Sequence, residues 1–206
     1  KHLNIPCLKR GEKLAEVAKS KKLIAIVGSH GKTTTSALIG HAIRQLGLSI
    51  NFIVGGFYQD ATAPYYVCDS EWLLAEIDES DGTINGFNPE ISVLLNLDWD
   101  HIDYYQDFDS LKKVFEGLLL RTRSKVLIEA SNFEAFEARE AFSNRCVFID
   151  TKLVTTDDTL GTGTLLEPGN GMLNADFNCH NQMFAEGVLG LFQSNFPPRE
   201  ESLSWC

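Results

Sequence analysis

The sequence has no pair of cysteines spaced to grip a metal. Its five cysteines, Cys7, Cys68, Cys146, Cys179 and Cys206, are odd in number and widely separated. None forms a C-x-x-C unit, which argues against a structural zinc site. Reduced thiols in a cytoplasmic protein are the expectation. Basic residues are also scarce: 18 Lys and Arg stand against 28 Asp and Glu, a net charge of −10. That sign disfavours a nucleic-acid partner, because phosphate backbones attract basic surfaces. No apolar run approaches the ~18 residues of a membrane span, and the opening KHLNIPC does not read as a signal peptide. There is no initiator Met, no internal repeat and no low-complexity tract. What remains is a chain of 206 residues, 44% of them apolar, enough for one large domain with a real core.

Short apolar runs of strand length recur along it. KLIAIV ends at Gly28, and INFIV, WLLAEI, ISVLL, KVLIE and CVFI follow. Helical patterns lie between them. EKLAEVAKS reads as a short lead-in helix. Thr33 to Leu46 places Ala37, Leu38, His41, Ala42 and Leu46 near one face, and Gly47 stops it. In DSLKKVFEGLLLR, Leu111, Val114, Phe115, Leu118 and Leu119 form an amphipathic stripe with Asp109 as the expected N-cap. SNFEAFEAREAF offers Ser131 and Glu134 as a capping box. Strands alternating with helices predict an α/β fold: a mostly parallel sheet flanked by helices, of the P-loop mononucleotide-binding type. Residues 151–177, rich in Gly and Thr, predict a small irregular insert with edge strands, after which a helical pattern resumes and breaks at Pro197-Pro198.

The joint IAIVGSHGKTTTSALIG carries the chemistry. It reads strand, tight turn, helix, and a helix N-terminus offers free N–H groups and partial positive charge to an anion. Gly28 and Gly31 let backbone approach a phosphate, Lys32 supplies a cation for the β- and γ-phosphates, and the Thr33 hydroxyl can ligate Mg²⁺. Ile26 stands where the common P-loop pattern has its first Gly, so this loop is shorter or starts differently.

Two acidic segments follow strands. LLAEIDESDGT sets Glu76, Asp78, Glu79 and Asp81 at a strand's carboxyl end, where open α/β sheets bind ligands and where one carboxylate can hold Mg²⁺ opposite the loop Thr. For any one of these four acids, a solvated turn is the plainer reading. LLNLDWDHIDYY brings Asn96, Asp98, Asp100, His101 and Asp103 together past another strand. A neutral imidazole there can bind a divalent metal, with the acids orienting it.

Taken in order, GSHGKTTT, EIDESDGT and NLDWDHIDYY resemble the central ATP-binding domain of the Mur ligase family, over nearly the whole chain. The His in GSHGKTTT and the run DESDGTINGFNPEISVLLNLDWDHIDYY are most similar to the branch that joins L-alanine to UDP-N-acetylmuramate. The resemblance implies ATP and Mg²⁺ as ligands of the loop Gly28, Ser29, His30, Gly31, Lys32, Thr33 and Thr34. It implies one metal on Thr33 and Glu76 and a second on His101, with Lys32, Glu76 and His101 as the catalytic set. CHNQMFAE is similar to the family's G-x-H-N-x-x-N-A, whose Asn residues contact adenine. This assigns His180 and Asn181 to the nucleotide, while Phe184 replaces the second Asn and Asn178 the Gly. Leu95 replaces the Thr of the family's T-N-x-x-x-D-H.

The resemblance further implies a single central domain over 1–206. Residues 1–20 would lead in from a UDP-sugar domain, and a C-terminal domain that receives the amino acid would lie outside the chain. Two rivals stay open: a related ligase (tripeptide-recycling or folylpolyglutamate-like), and a nucleotide-binding module without catalysis.

Overall fold

The computed structural model describes residues 7–56, 63–80, 82–99, 105, 107–150 and 176–193. Among these, helix α1 (Arg10–Ala18) leads into strand β1 (Lys22–Val27), helix α2 (Lys32–Gln45), β2 (Asn51–Ile53), β3 (Tyr65–Tyr66) and β4 (Trp72–Glu76). A 3₁₀ turn at Thr83–Gly86 precedes β5 (Ile91–Leu94), α3 (Phe108–Arg121), β6 (Lys125–Ile128), α4 (Ala130–Phe133), β7 (Cys146–Phe148) and α5 (Asp176–Gln193).

The strands form one sheet in the order β3-β2-β4-β1-β5-β6-β7. Every pairing is parallel except β2 with β3, which is antiparallel at the edge. The expected α/β architecture is thus present. β1 lies in the middle, with Ile24 to Ile26 in register with Leu74 to Glu76 on one side and with Ile91 to Val93 on the other. The carboxyl ends of β1, β4 and β5 therefore emerge side by side, the place where open sheets of this kind hold ligands.

Burial on both faces explains why these strands read as continuous apolar runs. Leu23, Ala25 and Val27 of β1 pack into a layer with α1, α3 and the segment carrying Phe133, Phe136 and Phe142. Ile24 and Ile26 face the opposite layer, built from α2 and α5. On that side Gly40 lets α2 approach the sheet, since a Cβ there would meet the Phe52 ring at 3.3 Å.

Three expectations change. The N-cap of α3 is Asp107, whose carboxylate accepts from the Ser110 N–H at 2.7 Å. Asp109 sits within the first turn and pairs with Lys112 at 2.9 Å. The helix expected over SNFEAFEAREAF is only the four residues of α4, and Glu129 precedes it without a side-chain cap. Phe133, Phe136 and Phe142 are all buried in one cluster, and turning the chain around that cluster outweighs local helix periodicity. The face of α2 also differs. Thr35, Ser36, Ile39, Gly40, Ala42 and Ile43 are buried while His41 and Leu46 are exposed, because α5 covers a side of α2 that the sheet does not. Residues 151–175 of the expected insert and Pro197-Pro198 lie outside the described residues.

Candidate functional site

The turn after β1 is built for close approach. Gly28 has φ +135° and a Cβ on it would lie 3.1 Å from the Asn96 backbone. Gly31, with φ +82°, caps α2 in the left-handed region, and a Cβ there would come within 2.4 Å of Asn181 Oδ1. Both glycines are required by geometry. Lys32, Thr33 and Thr34 then open α2, so its free N–H groups lie beside them.

The loop is fastened to the segment after β5 by four hydrogen bonds. The His30 N–H donates to Asn96 Oδ1 at 2.9 Å, and Asn96 Nδ2 donates to the His30 carbonyl at 3.0 Å. Ser29 Oγ donates to the Asp98 carbonyl at 2.7 Å and stands 3.1 Å from the Asp98 N–H. Asn96 and Ser29 thus act on the loop's shape.

The acids divide by depth. Glu76, the last residue of β4, is buried and its Oε2 accepts from Thr33 Oγ1 at 2.9 Å. Gly55 makes room for it, since a Cβ on Gly55 would lie 1.7 Å from Glu76 Oε1. Arg10 of α1 reaches the same carboxylate at 3.8 Å. Glu79 is fully buried, and both its oxygens lie 3.0 Å from Lys32 Nζ. Lys32 also donates to the Gly28 carbonyl at 2.6 Å. Burial pushes the Glu79 carboxyl above its ordinary value, against the opposing pull of the Lys32 ammonium. The Tyr105 hydroxyl donates to the Glu79 carbonyl. Asp78 is exposed, and Asp81 lies outside the described residues.

Of the residues singled out by sequence, the structure therefore brings together Gly28, Ser29, His30, Gly31, Lys32, Thr33, Thr34, Glu76, Glu79, Asn96 and Asp98. His101 lies outside the described residues. Asn181 is fully buried under the loop, where Oδ1 accepts from Thr35 Oγ1 at 3.2 Å, and its Nδ2 has no partner among the described residues. The His180 ring meets the Leu95 carbonyl at 2.9 Å. Phe184, the departure from the family pattern, is fully buried in the layer between α2 and α5. Its position is one of packing.

Thr33 and Glu76 present hard oxygen donors, the kind Mg²⁺ takes. Among the described residues no group of three or more His, Cys, Asp and Glu converges. That donor set fits an ion that keeps waters and draws its remaining ligands from substrate phosphates. Lys32 Nζ, the α2 N-terminus and these oxygens converge at one end of the sheet, an arrangement suited to a polyphosphate.

The family model of the Mur ligase middle domain matches residues 26–153, from the end of β1 past β7. This chain belongs to that family. The UDP-N-acetylmuramate–L-alanine ligase of Coxiella burnetii is 41% identical over 123 residues, 59% of this chain and 26% of the relative. The ligase of the same name from Bdellovibrio bacteriovorus is 33% identical over 146 residues, 70% of this chain and 32% of the relative. The chain thus spans between a quarter and a third of these relatives' length. In fold, a murein peptide ligase from Psychrobacter arcticus superposes with a TM-score of 0.63 at 17% identity, covering 88% of this chain and 46% of that one. The Mur ligase sheet therefore carries the loop, Glu76 and the Asn96 segment just described.

Sequence reasoning did not single out Glu79 over its neighbours, nor Ser29 and Asn96 as a clamp. An acid three residues past a strand-end acid is a usable signal only once the turn between them is known.

Proposed function

We propose that this domain binds Mg²⁺–ATP and serves the phosphoryl-transfer half of a ligase that joins L-alanine to UDP-N-acetylmuramate. The observation that carries this reading is the convergence of Lys32, the α2 N-terminus and the Thr33–Glu76 pair, in a chain 41% identical over 123 residues to a ligase of that name. The related ligases have weaker support, because the two sequence relatives at 33% and 41% identity carry the alanine-adding name, while the murein peptide ligase matches in fold at 17% identity.

In this reading Lys32 contacts the β- and γ-phosphates, and the N–H groups from Gly28 to Thr34 line the triphosphate. Thr33 and Glu76 would hold one Mg²⁺, which would supply charge neutralisation at the γ-phosphoryl group. His101, as the family resemblance implies, would hold a second metal. His180 and Asn181 would contact the adenine, as the family pattern implies; the buried Asn181 Nδ2 has no partner among the described residues. A carboxylate does not itself react with an amine at neutral pH. One of its oxygens therefore takes the γ-phosphoryl group, releasing ADP, and the amine then displaces phosphate from the acyl phosphate. This domain contributes alignment and charge neutralisation. The UDP-sugar domain that residues 1–20 lead from, and the C-terminal domain, lie outside the chain in this proposal. The 206-residue piece then binds nucleotide without ligating, in a cytoplasmic enzyme with neither membrane nor nucleic-acid partners.

The test is a ligation assay on the full-length protein, offering UDP-N-acetylmuramate with L-alanine, glycine, L-serine or a murein tripeptide and following ADP, phosphate and the new amide. Preferred turnover with L-alanine is expected. A preference for the tripeptide, or no turnover with any acceptor, contradicts the proposal.

A further inference from the structure

The phosphate loop carries its own anion. Lys32, the cation expected to meet the triphosphate, already has both oxygens of Glu79 at 3.0 Å. Arg10, at the other carboxylate, faces Glu76 at 3.8 Å. Glu79 is not a surface acid. Its side chain is fully buried, Lys32 lies 3.0 Å from both its oxygens, and Tyr105 holds its carbonyl. A nucleotide entering the loop therefore meets an ammonium already paired with a buried carboxylate, with Glu76 close by.

Such a site favours a polyphosphate whose charge is already partly cancelled. Metal-free ATP brings its whole negative charge to a loop whose cation is half spent, whereas Mg²⁺ cancels part of that charge and gives the Thr33–Glu76 oxygens something to hold. We propose that Glu79 is the residue that makes the loop select metal-complexed over metal-free nucleoside triphosphate, by pairing with Lys32 in both the empty and the filled state. This rests on the nucleotide reading above. Glu79 does not touch the reacting atoms. It is a positioning residue that fixes Lys32 and sets the local charge.

The selectivity is read by calorimetric titration of the chain with ATP in Mg²⁺ and with ATP in EDTA, at low ionic strength. Wild type is expected to favour the Mg²⁺ form strongly. In Glu79→Gln, which keeps the shape and an acceptor for Lys32, affinity for metal-free ATP rises about tenfold, the effect expected when one fixed charge a few ångströms from the phosphates is removed. Affinity for Mg²⁺–ATP changes much less. Glu79→Asp keeps the charge and is expected to keep the wild-type preference, with circular dichroism confirming the fold of each variant. An unchanged preference in Glu79→Gln would reduce the pair to a structural ion bridge and overturn the inference. Wild type binding both forms equally overturns it without any variant. Wild type binding neither form instead overturns the nucleotide reading, and the selectivity falls with it.

Discussion

Asn96 faces His30 as a neighbouring strand would, its Oδ1 taking the His30 N–H at 2.9 Å and its Nδ2 giving to the His30 carbonyl at 3.0 Å. One side chain thereby closes a backbone pair between the phosphate loop and the segment after β5. Removing it in Asn96→Ala forfeits two hydrogen bonds, each worth about 1 kcal/mol when its partners return to water. The expected outcome is a loss of about 1–2 kcal/mol in urea unfolding together with weaker Mg²⁺–ATP binding, since loop N–H groups no longer held in place align poorly with phosphates. Unfolding and binding that both match wild type would remove the clamp from the account.

Gly31 tests the cradle itself. Its backbone is left-handed, and a Cβ at this position would stand 2.4 Å from Asn181 Oδ1, which leaves no room for alanine. Gly31→Ala is expected to destabilise by about 2 kcal/mol or more, the sum of backbone strain and a clash with a buried amide. Adding Asn181→Ser relieves the clash but not the strain, so the double variant recovers part of the loss. Urea denaturation of the two variants separates the contributions.

Phe184 occupies the place where the family's pattern has an Asn, and it is fully buried between α2 and α5. Phe184→Ala is expected to cost about 3–5 kcal/mol through lost burial and the cavity left behind. Chemical denaturation gives the value. A cost below about 1 kcal/mol would mean that the ring does not pack as described.

Glu79 gives the stability a pH dependence of a stated sign. Its folded-state pKa is raised, chiefly by burial, so the folded protein holds this proton more tightly than the unfolded chain. The group's contribution is greatest when it is protonated, at low pH. It declines as pH rises from about 4.3, the ordinary glutamate value, through the higher folded value. Glu79→Gln is expected to abolish that decline in melting curves collected between pH 4 and neutrality, while other acids continue to titrate. The same decline in both proteins would assign it to another group.

Much of this was legible in the sequence, for physical reasons. β1 is buried on both faces, so KLIAIV reads as a continuous apolar run. The Gly28 and Gly31 turn betrays itself because L-residues do not tolerate those φ values. Other features needed the three-dimensional turn. Asp107 and Asp109 are equally good caps by residue type, and only the backbone at Asp107, extended at φ −154°, decides between them. Glu76 and Glu79 are separated by depth and direction, which a string of acids does not record. The short α4 reflects three phenylalanines drawn into one cluster, a tertiary demand that outweighs a helical period.

The most direct measurement is calorimetric titration of Mg²⁺–ATP into the wild-type domain and into Lys32→Ala. That variant leaves the buried Glu79 carboxylate facing no ammonium, a costly arrangement, so Lys32→Ala with Glu79→Gln is titrated beside it. Saturable, Mg²⁺-dependent binding by wild type is expected, with loss of that binding in both variants and the fold retained by circular dichroism in the double variant. Binding of undiminished affinity in the folded double variant would contradict it, because the triphosphate would then be held somewhere other than the loop from Gly28 to Thr33.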